Sequence, residues 1–461
     1  MKSFKILVPS GCLGTDYPEA TLQRGVSLKP DAIAIDAGST DSGPYYLGAA
    51  TSKMTDKAIR KDLQRLMRAR DQLGVPLLVG SCGTSGTDAG VDWTAQICAE
   101  IARKEGLSAR VALIYSEQSP DILGALLQRG RIKPLPPLGE LTPEVLASCD
   151  HIVALLGYEP FAAAVAQGAQ IVLAGRATDT AVLAAMALDA GFPAAQAWHA
   201  AKTAECGGMC AVGSGQGGVM ITIDAEGFEV EPLNLSNRCT PYSVSAHLLY
   251  ENADPYRLKE PGVVIDAGDA VYRSVDERIV RVTGTKAQTT PYTMKLEGSG
   301  RAGFRTMSFT ALADPKVMSR FDEWLTALKS VLLSRIEATL GYGVGDYEID
   351  FRPYGWNALD QSAHANEAPP AREVGLMVIV SASTQERANE IAKFCNPALL
   401  HFPLGRDAPM PSWAFPFSPA EIDMGPYYAF RLNHVVEVDD PLQLVRTMLI
   451  TVGRDVDHAV A

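Results

Sequence analysis

Five short apolar runs, each halted by a small or polar residue, set the rhythm of the first 180 residues. Residues 4–9 run into Ser10 and Gly11, and residues 31–35 into Asp36-Ala37-Gly38-Ser39-Thr40-Asp41. Residues 75–79 run into Gly80-Ser81-Cys82-Gly83-Thr84-Ser85-Gly86. Residues 111–115 reach Ser116-Glu117-Gln118, and residues 171–174 reach Gly175-Arg176. Runs this short, apolar on both faces and separated by helix-length segments, describe buried parallel strands in βαβ units. The expected fold is α/β, a mainly parallel sheet with flanking helices, and ligands in such sheets bind beyond the carboxyl ends of the strands.

The chain has 461 residues, enough for two or three domains. A net charge of −12 without a basic cluster argues against a nucleic-acid footprint. The eight cysteines are scattered and do not form a disulfide framework. The amino terminus reads as a strand and not as a signal peptide, and no stretch approaches the roughly 20 apolar residues that span a bilayer. A cytoplasmic protein is expected, with no membrane partner.

Helix patterns fall at 53–73, 91–105, 119–130, 142–149, 159–168 and 178–191. After about residue 200 the grammar changes, with strands at 219–224, 263–266 and 279–282 and a long amphipathic helix at 315–339. Strands at 347–351, 373–383 and 427–438 follow, with a helix at 384–394 and a short helix from about Asp440. The expectation is an α/β domain over residues 1–200 and an α+β portion over residues 201–461 that packs over the site. A β-rich layer has edges to cover, so a homo-oligomer is expected.

The strand ends carry the candidate chemistry. Ser81–Ser85 form a glycine-punctuated turn whose polar groups include Ser81, Thr84 and Ser85; it lacks the Gly-Lys-Ser/Thr ending of a nucleotide phosphate loop. Gly175-Arg176-Ala177-Thr178-Asp179-Thr180 is a second strand-to-helix turn. Arg176 there suits a bidentate fork on a carboxylate, or an internal pair with Asp36 or Asp41; Asp179 or Thr178 suits a helix cap. Asp36 and Asp41, which bracket Ser39 and Thr40, and Glu117 can supply an acid and a base, hold a Mg²⁺ through oxygen, or cap loops.

Glu205 precedes Cys206 and Cys210, a spacing that with His199 matches no zinc finger or ribbon, so Glu205 is the better functional candidate. Glycines between Gly213 and Gly218 precede a strand, which argues against a dinucleotide fingerprint. Residues 296–305 read as a hairpin, with Arg301 and Arg305 solvated or facing an anion. No nucleophile elbow or catalytic triad stands out.

Several longer motifs resemble one branch of the acyclic terpene utilisation (AtuA-type) family. They include residues 35–44, Gly175-Arg176-Ala177-Thr178-Asp179-Thr180-Ala181, and Ala197-Trp198-His199-Ala200-Ala201-Lys202. Residues 238–244, 249–253, 415–419 and 433–441 extend the resemblance over nearly the whole chain. It implies catabolism of branched acids and their CoA thioesters, alongside a small companion polypeptide. This chain differs from the shorter terpene-pathway members at residues 36–41, which points away from a terpenoid acyl-CoA.

The combined expectation is a lyase or hydro-lyase acting on a small hydroxy-di- or tricarboxylic acid or its CoA thioester. Asp36, Asp41, Glu117 and Glu205 are its candidate acids and bases. Ser39, Thr40, Ser81, Thr84, Ser85, Arg176 and Asp179 are its candidate substrate contacts, and Mg²⁺ is the cofactor left open. The alternative is a non-catalytic ligand-binding subunit of a two-component enzyme.

Overall fold

The computed structural model describes residues 2–213, 217–249, 254–359, 371–405, 408, 410 and 414–453. The chain divides into two compact units, Met1–Gly300 with Phe430–Ala461, and Arg301–Ala429. The division expected near residue 200 falls inside the first unit. Ser214, Gly215 and Gln216 of the glycine-rich segment, and residues 250–253 of one family-like motif, lie outside the described residues.

In chain order the strands that begin in the first unit are β1 (Phe4–Val8), β2 (Ala32–Asp36), β3 (Leu77–Gly80), β4 (Ala109–Tyr115) and β5 (Ile132–Pro134). Next come β6 (His151–Ala154), β7 (Ile171–Ala174), β8 (Val219–Ile223), β9 (Gly227–Pro232) and β10 (Arg257–Glu260). They continue with β11 (Val263–Asp266), β12 (Val271–Ser274), β13 (Val280–Thr283), β14 (Lys286–Thr289) and β15 (Thr293–Leu312). β16 (Tyr347–Tyr354) and β17 (Val374–Ala382) belong to the second unit; β18 (Glu421–Glu437) and β19 (Arg446–Val452) close the chain.

The first unit is built on a ten-stranded sheet ordered β12-β13-β9-β8-β1-β2-β3-β7-β4-β19. Its centre, β1-β2-β3-β7-β4, is parallel, as the apolar runs predict. Both flanks are antiparallel: β8, β9, β13 and β12 extend one side, and β19 lies along β4 on the other. The remaining sheets are antiparallel too, so a mainly parallel sheet holds for the centre alone. The reason is physical: β8 is buried along nearly its whole length, and apolar residues on both faces do not encode ladder direction.

Period-two alternation sorts the central strands into two cores. Ile6, Val8, Ala34, Leu78, Ile114 and Val172 face one cluster, whereas Leu7, Ile33, Ile35, Val79, Leu113 and Leu173 face the other. Helices cover both faces, and the local signals for their starts are clear. Thr55, Thr87 and Thr178 cap the helices Asp56–Leu73, Asp88–Glu105 and Asp179–Asp189 by accepting the amides of Ala58, Gly90 and Ala181. Each such cap contributes about 1 kcal/mol.

β15 is one strand of 20 residues that runs from the first unit into the second, where a hairpin is expected at residues 296–305. In the second unit, Arg305 stacks on Tyr427 at 3.9 Å and its Nε donates to Ser381 Oγ at 3.2 Å, so it is neither solvated nor free for an anion. The order β16-β17-β15 there is antiparallel, and helices Phe321–Leu340 and Gln385–His401 supply Trp324, Leu328 and Leu399 to a separate core. The helix expected at 315–339 is broken into Pro315–Met318 and Phe321–Leu340. Asp440 opens a turn, not a helix, and the chain then enters β19.

Candidate functional site

Four loops leave the carboxyl ends of neighbouring parallel strands β1, β2, β3 and β7, and all belong to the first unit. The loops after β3 and β7 are zipped together. Ser81 N–H donates to Gly175 O at 2.9 Å and Arg176 N–H to Gly86 O at 3.1 Å. Gly86, at φ +66°, makes this approach possible, since a Cβ there would lie 2.0 Å from the Arg176 nitrogen. Ser81 (φ 48°) and Thr84 (φ 79°) also take left-handed backbone, uncommon for any side chain and strained for a β-branched one.

Arg176 is buried at this junction. Its Nε donates to Glu297 Oε2 at 3.1 Å, and its Nη1 donates to Ser81 Oγ (3.1 Å), Ala177 O (2.9 Å) and Asp179 Oδ1 (3.3 Å). These bonds leave Nη2 without an acceptor among the described residues. The internal partners expected, Asp36 and Asp41, are replaced by Glu297 and Asp179, and a two-nitrogen fork is not open to a ligand. Lys295 Nζ takes the other Glu297 oxygen at 2.8 Å. Burial works against the Glu297 charge, yet Arg176 and Lys295 hold its carboxyl below the usual range.

A second pair stands on the helix Ala194–Ala204 and its cap, where Lys202 Nζ donates to Glu205 Oε1 at 2.5 Å. Burial lifts the Glu205 carboxyl well above its ordinary range, against the pull of Lys202. Glu260, at the end of β10, is pushed up to about 7 by burial, and its Oε2 has no hydrogen-bond partner. Burial also raises Asp36 and Asp179. Asp36 Oδ2 accepts the Gly38 amide at 2.8 Å, and its Oδ1 is buried without a partner. The cluster therefore holds carboxyls raised by burial beside cations that oppose the rise, and a carboxyl so raised can give a proton when protonated or take one when ionised.

A crevice of about 340 Å³ is lined by Ser10, Cys12, Asp16, Cys206, Gly208 and Met209, among others. Burial, and then the charges of Asp36 and Asp179, push its Cys12 thiol up to about 12.

The other expected site residues divide. Ser39 Oγ accepts the Asp41 amide at 3.3 Å, Thr40 is buried, and Asp41 is exposed with its charge felt at Asp179. Thr84 and Ser85 serve the scaffold: Thr84 Oγ1 accepts the Lys53 amide at 2.9 Å and Ser85 Oγ donates to Tyr46 O at 3.2 Å. Glu117 joins a different group. Its Oε1 meets His151 Nδ1 at 2.5 Å and its Oε2 accepts the Asp88 amide at 2.9 Å. His199 is buried between Thr285 Oγ1 (2.6 Å) and Tyr272 Oη (3.3 Å), a packing role.

Sequence reasoning missed Lys202, Glu260, Lys295 and Glu297. The Lys202–Glu205 pair carried a readable signal, since the two sit three apart at a helix end. Glu297 carried none beyond being the one acid in β15. Among the described residues, no group of three or more His, Cys, Asp and Glu side chains is placed to hold a metal ion, and no helix is long and apolar enough to cross a membrane.

A family model described as acyclic terpene utilisation family protein AtuA matches residues 53–418, most of the chain. The chain belongs to this family. No curated protein and no solved structure matches it. The matched span holds Arg176, Asp179, Lys202, Glu205, Glu260 and Glu297, so the AtuA-family region includes every charged member of the cluster except Asp36 and Asp41.

Proposed function

We propose that this AtuA-family protein is a lyase or hydro-lyase acting on a small hydroxy-di- or tricarboxylate, or its CoA thioester. The observation that carries the reading is the pairing of carboxyls raised by burial with cations, Asp179 with Arg176 after β7 and Glu205 with Lys202 at the end of the helix Ala194–Ala204. Loss of water from a hydroxy acid needs a base for the C–H proton beside the carboxylate and an acid for the departing hydroxyl. Asp179, whose side chain is 34% exposed, is the base in this reading. Glu205 is the acid: its proton leaves with the hydroxyl as water while the C–H electron pair becomes the new double bond. Lys202 and the remaining Arg176 Nη2 face the substrate's carboxylate and steady the negative charge that develops on it.

The test is a screen of the purified protein, alone and with a copurifying small polypeptide, against hydroxylated and unsaturated carboxylates. Turnover in either arm supports the lyase. Saturable binding without turnover in both arms supports a non-catalytic ligand-binding subunit instead.

A further inference from the structure

A second crevice, of about 580 Å³, opens in the first unit at the carboxyl end of β4. Asp88, Tyr115, Glu117, Asp150, Leu444 and Arg446 are among its lining residues. Its volume is that of a small-molecule site. β19 places Arg446 directly opposite Tyr115 in the ladder. The Arg446 guanidinium lies over the Tyr115 ring, 4.5 Å from its centroid, and Nη2 donates to Asp88 Oδ2 at 2.5 Å. Tyr115 is itself fixed, because its hydroxyl donates to Asp92 Oδ1 at 2.6 Å. Gln118 Nε2 donates to Leu444 O at 2.8 Å and anchors the segment that leads to Arg446.

We infer that this crevice is a binding site for the guanidinium or ammonium end of a small organic cation, and that Arg446 is a built-in occupant the ligand displaces. An aromatic face beside a carboxylate is the arrangement that recognises such cations, and here it already holds one. The occupant is weakly held, with a side chain 68% exposed, in the regime where ion pairs contribute little. Asp88 meets the cation through Oδ2 alone, since its Oδ1 is buried without a hydrogen-bond partner. Burial and the neighbouring Glu117 charge also push its carboxyl upward. Glu117 adds to the negative charge here: it is itself an ionised acceptor, with its oxygens on His151 and the Asp88 amide.

The test is calorimetric titration of the full-length protein with butylguanidine and butylamine, against butanol and butyrate as controls. The expected result is saturable binding of both cations by the wild type, with neither control binding. Affinity falls about tenfold in Asp88→Asn and in Tyr115→Leu, is kept in Tyr115→Phe, and rises severalfold in Arg446→Ala. Asp88→Asn, which keeps the side chain's shape, carries the test if Tyr115→Leu fails to fold. Absence of cation binding to wild type and Arg446→Ala alike, or equal affinity in wild type and Asp88→Asn, overturns the inference. The readout is binding at this crevice alone, so it stands or falls separately from the lyase reading.

Discussion

Arg176 Nε meets Glu297 Oε2 at 3.1 Å across 121 residues of sequence, tying the end of β7 to the start of β15. Both side chains are almost wholly buried, so this ion pair has no solvent to fall back on. Removing Glu297 leaves the buried Arg176 with Asp179, at 3.3 Å, as its remaining ion-pair partner. Glu297→Ala is expected to lower unfolding free energy by about 3–5 kcal/mol. Arg176→Lys, which cannot reproduce the fan of four bonds, should behave similarly. Urea unfolding of the three proteins checks this, and variants as stable as wild type would remove the pair from the account.

Gly86→Ala tests the zipped loops. The new methyl would stand 2.0 Å from the Arg176 nitrogen at a backbone angle of +66°. Strain and overlap together are expected to cost about 2–4 kcal/mol. Gly124→Ala, in a helix where the added Cβ meets nothing within 4 Å, is the control and should not destabilise.

How much of this was legible in the sequence follows from what each feature depends on. The central strands show through because burial on both faces leaves an unbroken apolar run, and the helix starts show through their threonine caps. The antiparallel flanks do not, because β8 carries the same apolar run as β1. β19 escapes notice because Thr447 and Met448 are exposed on a strand that covers one edge of β4. Arg176 could be read as needing a partner, but its choice of Glu297 over Asp36 depends on a strand more than a hundred residues away. Glu117 and Arg176 end neighbouring strands, yet their side chains enter different hydrogen-bond groups, a separation the sequence does not record.

Acid stability should reflect His199. Burial lowers its pKa from 6.5 to about 4, so the folded state resists a proton that the unfolded chain accepts. At this site the unfolded state binds more protons in that window, so the stability His199 contributes is lost as pH falls from 6.5 towards 4. The contribution is on the order of 3 kcal/mol. His247, also lowered to about 4 by burial, adds in the same direction. The stability difference between wild type and His199→Gln, read from urea midpoints, should shrink as pH falls across this range, because the raised carboxyls act equally in both proteins; a difference that stays constant would contradict the assignment.

The most direct measurement of the central claim uses Glu205→Gln on whichever hydroxy acid the protein turns over. Gln keeps the shape and a hydrogen-bonding end but has no carboxyl proton to give. The account predicts a fall in kcat of about 10²–10⁴-fold, the range for loss of a general acid. Ligand affinity by calorimetry should stay within about threefold, because the proposed carboxylate contacts are Lys202 and Arg176. An unchanged kcat in Glu205→Gln would contradict the account.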